Sequence, residues 1–107
     1  LAVARAFGDL EFKTPIDDAD KSLAVGKLLS EEPFILCTEL VPKRDRFVIV
    51  GCDGVWERLG HQASVNFVAE HLPEEGPEAT SEMLANHAFN MRSQDNISAT
   101  IVQLQWH

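Results

Sequence analysis

Apolar positions change their spacing several times along this chain, and each change marks an element. Leu1 to Ala6 alternates large and small apolar residues before Gly8-Asp9, which reads as a short strand, although an Ala-rich segment suits a helix equally. Residues 13–33 are mixed: Asp17-Asp18-Ala19-Asp20 can open a helix, but Leu23, Val25, Leu28 and Leu29 fit one helical face poorly. Phe34 to Leu40 alternates partly and is rich in strand formers, and Val41 to Asp45 is a polar connection containing Pro42. Phe47 to Cys52 is almost wholly apolar. The pair reads as a β-hairpin whose second strand is buried on both faces, ended by Asp53-Gly54.

The period then becomes helical. Val65, Val68, Ala69 and Leu72 fall at i, i+3, i+4 and i+7 and predict an amphipathic helix over His61–Leu72. Pro73 to Pro77 is a breaker, after which Thr80 or Ser81 can cap a second helix whose face carries Leu84, Ala88 and Met91. Arg92 to Asn96 is polar, and Ile97 to Leu104 closes the chain as a strand. Strands and helices in this order predict an α+β layer structure with a mostly antiparallel sheet.

Composition narrows the classes. The 107 residues are 45% hydrophobic and 24% charged, enough for a packed core. No window reaches the ~18–20 continuous apolar residues of a membrane-spanning helix. Arg5 and Asp9 interrupt the apolar start, so no signal peptide is read there. The net charge of −8 repels phosphate backbones and anionic lipid, which argues against nucleic acid and membrane as partners. Cys37 and Cys52 sit in apolar runs and read as buried reduced thiols, consistent with an intracellular compartment, cytoplasmic or nuclear. The chain opens at Leu1 inside an ordered-looking apolar stretch, and the expectation is a piece of something longer.

Three segments can carry chemistry. In Gly51-Cys52-Asp53-Gly54-Val55-Trp56-Glu57 a strand delivers Asp53 at its carboxyl end, and Gly54 permits a tight turn. A carboxylate held there can coordinate a hard cation or simply cap the turn. In Ser93-Gln94-Asp95-Asn96-Ile97-Ser98 the carboxylate of Asp95 enters the final strand, with Asn96 and Ser98 placed to orient it. If the two strands are antiparallel neighbours, Asp53 and Asp95 emerge at one sheet edge. Arg5, before Gly8-Asp9, reads as an ion-pair partner or an anion ligand. Trp56 and Trp106 read as packing residues. Asp17 to Asp20 lacks the glycine and distal glutamate of a calcium loop, and His61, His71, His87 and His107 show no zinc-ligand spacing.

Taken in order, Leu1 to Asp9, Glu31-Glu32-Pro33, Asp53 to Glu57 and Ser93 to Ser98 resemble the metal-dependent protein phosphatases of the protein phosphatase 2C class. Ala4 stands where that family usually has Ser, and Glu57 where Asp is commoner. The resemblance implies a four-layer α-β-β-α fold, a two-sheet antiparallel β-sandwich flanked by antiparallel helix pairs. It implies a serine/threonine phosphatase acting on phosphoprotein substrates through water activated between two Mg²⁺ or Mn²⁺ ions. The positions matching Asp53 and Asp95 would be metal ligands.

The family's Asp-Gly-His-Gly segment and amino-terminal phosphate-binding arginine have no counterpart here. Residues 1–107 are therefore expected to form the carboxyl-terminal portion of one catalytic domain. That portion should be inactive alone and prone to self-association through uncovered strands. The alternative is a non-catalytic phosphatase-like interaction module.

Overall fold

A computed structural model of the chain describes Arg5, Phe7, Ser30 and residues 32–91 and 96–107. The chain divides into two compact units, Leu1–Glu39 and Leu40–His107. In the first, Arg5 and Ser30 form an isolated parallel bridge, and the Ser30 hydroxyl accepts the Glu32 N–H at 3.0 Å. The expected helix from Asp17 and most of the expected strand Leu1–Ala6 lie outside the described residues.

The second unit contains strand β1 (Phe47–Gly51), helix α1 (Asp53–Asn90) and strand β2 (Ala99–Gln103). The two strands pair antiparallel, with Ile49 opposite Ile101 and Gly51 opposite Ala99. The ladder continues past both ends, where Leu104 N–H donates to Arg46 O at 2.8 Å and Cys52 N–H to Ser98 O at 3.2 Å. The fold is thus α+β around an antiparallel sheet of two strands, and the described residues contain one sheet layer rather than a sandwich of two.

The expected hairpin does not form. Residues 32–41 have no regular structure, and Phe34, Ile35 and Leu36 are exposed. Val41, where a hairpin ladder would begin, spends both backbone groups on Asp45. Its N–H donates to Asp45 Oδ2 at 2.7 Å, and its carbonyl accepts Asp45 N–H at 3.0 Å. β1 pairs instead with β2, which follows it only after α1. Nor is β1 buried on both faces: Phe47, Ile49 and Gly51 are half-buried, whereas Val48 and Val50 are exposed.

α1 is interrupted at Gly60 (φ 74°, ψ 168°) and Gly76 (φ 81°, ψ 170°). That region of backbone space is open essentially to glycine alone, so these two residues set the breaks. The helix runs through Pro73, and Pro77 directly follows the second break, where its missing N–H costs little. The expected breaker segment thus narrows to one residue, Gly76.

The buried stripes are Ser64, Val68, Leu72 and Thr80, Leu84, Ala88, each at i, i+4, i+8. Val68, Leu72, Leu84 and Ala88 face inward as the periodicity predicts, but Val65 and Met91 are exposed. Ser64 takes the inner position because its hydroxyl donates to Gly60 O at 2.8 Å, which removes most of the cost of burying it. Val68, Leu72 and Leu84 form the core with Val55 and Ile101, and Phe47, Ile49 and Ala99 pack against them from the inner sheet face. Ser81 joins the layers: its hydroxyl accepts the Ile101 N–H at 3.1 Å and donates to Pro77 O at 2.7 Å. Phe67 is stacked on His87 (centroids 4.8 Å apart) and tilted against His71 (4.4 Å), which ties the helical stretches on either side of Gly76.

Candidate metal-binding edge

β1 ends where α1 begins, and four consecutive residues make that junction rigid. Trp56 folds back over Gly51, where a Cβ would stand 2.9 Å from Trp56 Cζ2, and the indole N–H donates to Gly51 O at 3.0 Å. Cys52 occupies the N-cap position in extended conformation (φ −91°, ψ 175°), and its carbonyl accepts Val55 N–H at 3.0 Å. Asp53, the first residue of α1, is exposed. Its negative charge in the first helical turn is favoured by the N–H groups exposed there.

Gly54 is buried, and the reason for glycine differs from the expected tight turn. Gly54 lies within α1 with no positive φ, but a Cβ there would fall well inside contact distance of Asn96 O and 3.2 Å from Ile97 Cγ1. The strand entering from Asn96 therefore lies directly on the backbone beside Asp53.

Cys52 stitches the same two segments together. Its Sγ accepts the Ser98 N–H at 3.2 Å and donates to Asn96 O at 3.1 Å. The Ser98 N–H, then the Ser98 hydroxyl, and more weakly the N–H groups of Gly54 and Val55, stabilise the thiolate and hold the Cys52 thiol below its usual range, with burial opposing them. The expected orienting of the Asp95 carboxylate by Asn96 and Ser98 involves a residue outside the described ones; the Asn96 carbonyl and the Ser98 N–H engage Cys52. It also read both thiols as buried, whereas Cys37 is exposed and Cys52 half-buried.

Asp95 lies outside the described residues, and its neighbour Asn96 is the first described residue after residues 92–95. Among the described residues no three His, Cys, Asp or Glu side chains gather as a metal-binding group. The carboxylate of Asp53 is a hard oxygen donor, of the kind that suits Mg²⁺ or Mn²⁺ rather than a thiolate-seeking metal. Among the described residues no helix is long and apolar enough to cross a membrane.

The family profile of protein phosphatase 2C matches residues 1–97. The chain belongs to the protein phosphatase 2C family. It is 36% identical over its whole length to protein spalten of Dictyostelium discoideum, and 38% identical over 98% of its length to probable protein phosphatase 2C 22 of Arabidopsis thaliana. Protein phosphatase 2C homolog 1 of Schizosaccharomyces pombe is 32% identical over 97% of the chain. The chain spans 10% of the first relative, 26% of the second and 25% of the third.

Proposed function

We propose that this chain contributes one edge of the metal site of a serine/threonine protein phosphatase, with Asp53 and Asp95 as carboxylate ligands. The observation that carries the reading is the junction of Cys52 and Gly54 with Asn96 and Ser98. The residue following Asp95 packs against the residue following Asp53. Divalent cations, if held there by Asp53 and Asp95, would supply an activated water for hydrolysis of a phosphoserine or phosphothreonine ester. The chain's own contribution is positional: β1 and α1 hold Asp53 outward while the Cys52 bridge fixes the neighbouring strand. Two carboxylates are too few to hold a metal pair, and the catalytic unit extends beyond these 107 residues, in keeping with the fraction of each relative that the chain matches.

The test assays the chain with Mn²⁺ on a phosphothreonine peptide, alone and with the amino-terminal portion of a family catalytic domain supplied. The chain alone should give no turnover, and addition should restore it. In the reconstituted enzyme Asp53→Asn or Asp95→Asn should cut the rate by orders of magnitude, about 10²-fold or more for a lost metal ligand. Rates within a factor of about two of the parent would refute the ligand roles. A reconstituted complex that assembles without turnover would favour the interaction-module reading instead.

A further inference from the structure

At the end of the ladder opposite Asp53 the second unit carries a half-open pocket of about 350 Å³. This is near the lower end of the size range of small-molecule sites. It is lined by Leu72 of the helix, Phe47 of β1, Leu104 and Trp106 of the segment after β2, and the two cationic residues Lys43 and Arg46. The lining is mainly apolar and includes two cations.

Part of this lining is held firmly. Trp106 Nε1–H donates to Asp45 O at 2.7 Å, so the indole is fixed with its hydrogen-bonding capacity spent. The turn carrying Lys43 is closed by both Val41–Asp45 bonds and places that residue at a positive φ of 64°, with Arg46 directly after the turn. A side chain other than glycine pays for that conformation, and such strain gathers where a residue must be presented in one direction. Arg44 is paired with Asp45 at 3.7 Å, whereas among the described residues neither Lys43 nor Arg46 makes an ion pair. In a chain of net charge −8, two cations left open in a mainly apolar pocket complement an anionic head with an apolar body.

We propose that this pocket binds a small amphipathic organic anion, its aryl or alkyl body between Leu72, Leu104 and Trp106 and its head against Lys43 and Arg46. The site stands apart from the phosphatase reading and does not depend on it.

The test titrates the chain with 4-phenylbutyrate, 4-phenylbutylphosphonate, the neutral 4-phenylbutanamide and inorganic phosphate, following by NMR the Trp106 indole N–H and the Leu72 and Leu104 methyls. The carboxylate or the phosphonate should shift these resonances saturably, and the arm that binds tighter identifies the head. The amide should bind at least tenfold more weakly, and inorganic phosphate should leave the methyls unmoved. Lys43→Gln combined with Arg46→Gln should weaken binding tenfold or more with the Trp106 resonance retained, and Arg44→Gln should change nothing. Equal affinity for acid and amide, shifts confined to Val48, Val50 and Val102, or no saturable shift would overturn the proposal. The comparison of acid with amide needs no variant, so it decides the matter even if the double substitution perturbs folding.

Discussion

Replacing Gly54 by alanine puts two physical effects in opposition, and the structure determines the winner. In an open helical position Gly→Ala stabilises by about 1 kcal/mol, because glycine loses more backbone freedom on folding. Gly54 lies in α1 with no positive φ, so helix propensity alone predicts a more stable protein. The new methyl, however, would collide with the Asn96 carbonyl and sit 3.2 Å from Ile97 Cγ1. Restoring ordinary contact requires the carbonyl to retreat by about 1 Å. That carbonyl accepts the Cys52 thiol, whose sulfur also holds the Ser98 N–H, so the retreat disturbs both bonds.

Overpacking a tight site costs ~1–3 kcal/mol. The blocking atom is backbone and cannot rotate away, so the upper end applies, and subtracting the propensity gain leaves a net loss of about 2 kcal/mol. With a urea slope of ~1–3 kcal/mol/M, the unfolding midpoint should fall by roughly 1 M. Amide exchange at Ser98 should also quicken. A midpoint that rises with Ser98 protection retained would refute the close approach of the two segments.

Two further substitutions test the buried stripe with opposite signs. Leu84→Ala should destabilise by ~2–5 kcal/mol, since Leu84 is fully buried. Thr80→Val should stabilise by ~1 kcal/mol, because the Thr80 hydroxyl is buried without a hydrogen-bond partner; a loss of stability would show that the hydroxyl is satisfied. The depressed Cys52 thiol predicts iodoacetamide reaction, measured in a Cys37→Ser background, that rises with pH about an inflection below the usual thiol range. The same depression stabilises the fold fully only above the unfolded thiol's pKa, and the contribution is lost as pH falls through the folded value. An inflection at or above the usual thiol range would contradict the hydrogen bonds drawn to Sγ.

Much of the fold was legible because burial follows hydrophobic period. Phe47 to Gly51, Ala99 to Gln103 and the helical stripes through Val68, Leu72, Leu84 and Ala88 all appear where the apolar pattern places them. What failed were choices between neighbours of similar composition. Phe34 to Leu40 and Ile97 to Leu104 both looked able to pair with β1, and proximity favoured the nearer. The capture of Val41 N–H by the Asp45 carboxylate has no signature in hydropathy. Ser64 outranked Val65 for the inner stripe because a bond to Gly60 O made a hydroxyl cheap to bury there. The helix breaks went to glycines where prolines drew attention, because a proline after a break is tolerated and only glycine adopts the φ the break needs.

At the candidate edge, the placement of Asp53 at the strand exit was legible for the same reason. An acid after an apolar run announces a strand exit, so Asp53 could be singled out from residue type alone. The residues around it could not, because each acts through a tertiary contact. Gly51 admits the Trp56 ring, Cys52 bridges to Asn96 and Ser98, and Gly54 admits the Asn96 carbonyl. Together these contacts leave Asp53 the exposed member of an otherwise immobilised quartet. For a carboxylate ligand such a fixed backbone would help, since only its own side chain would have to be ordered on binding. The same contacts make the edge sensitive to residues that would never touch a metal. Loss of the Gly54 approach or of the Cys52 bridge should loosen Asp53 and the strand after Asp95 together, since both segments share one junction.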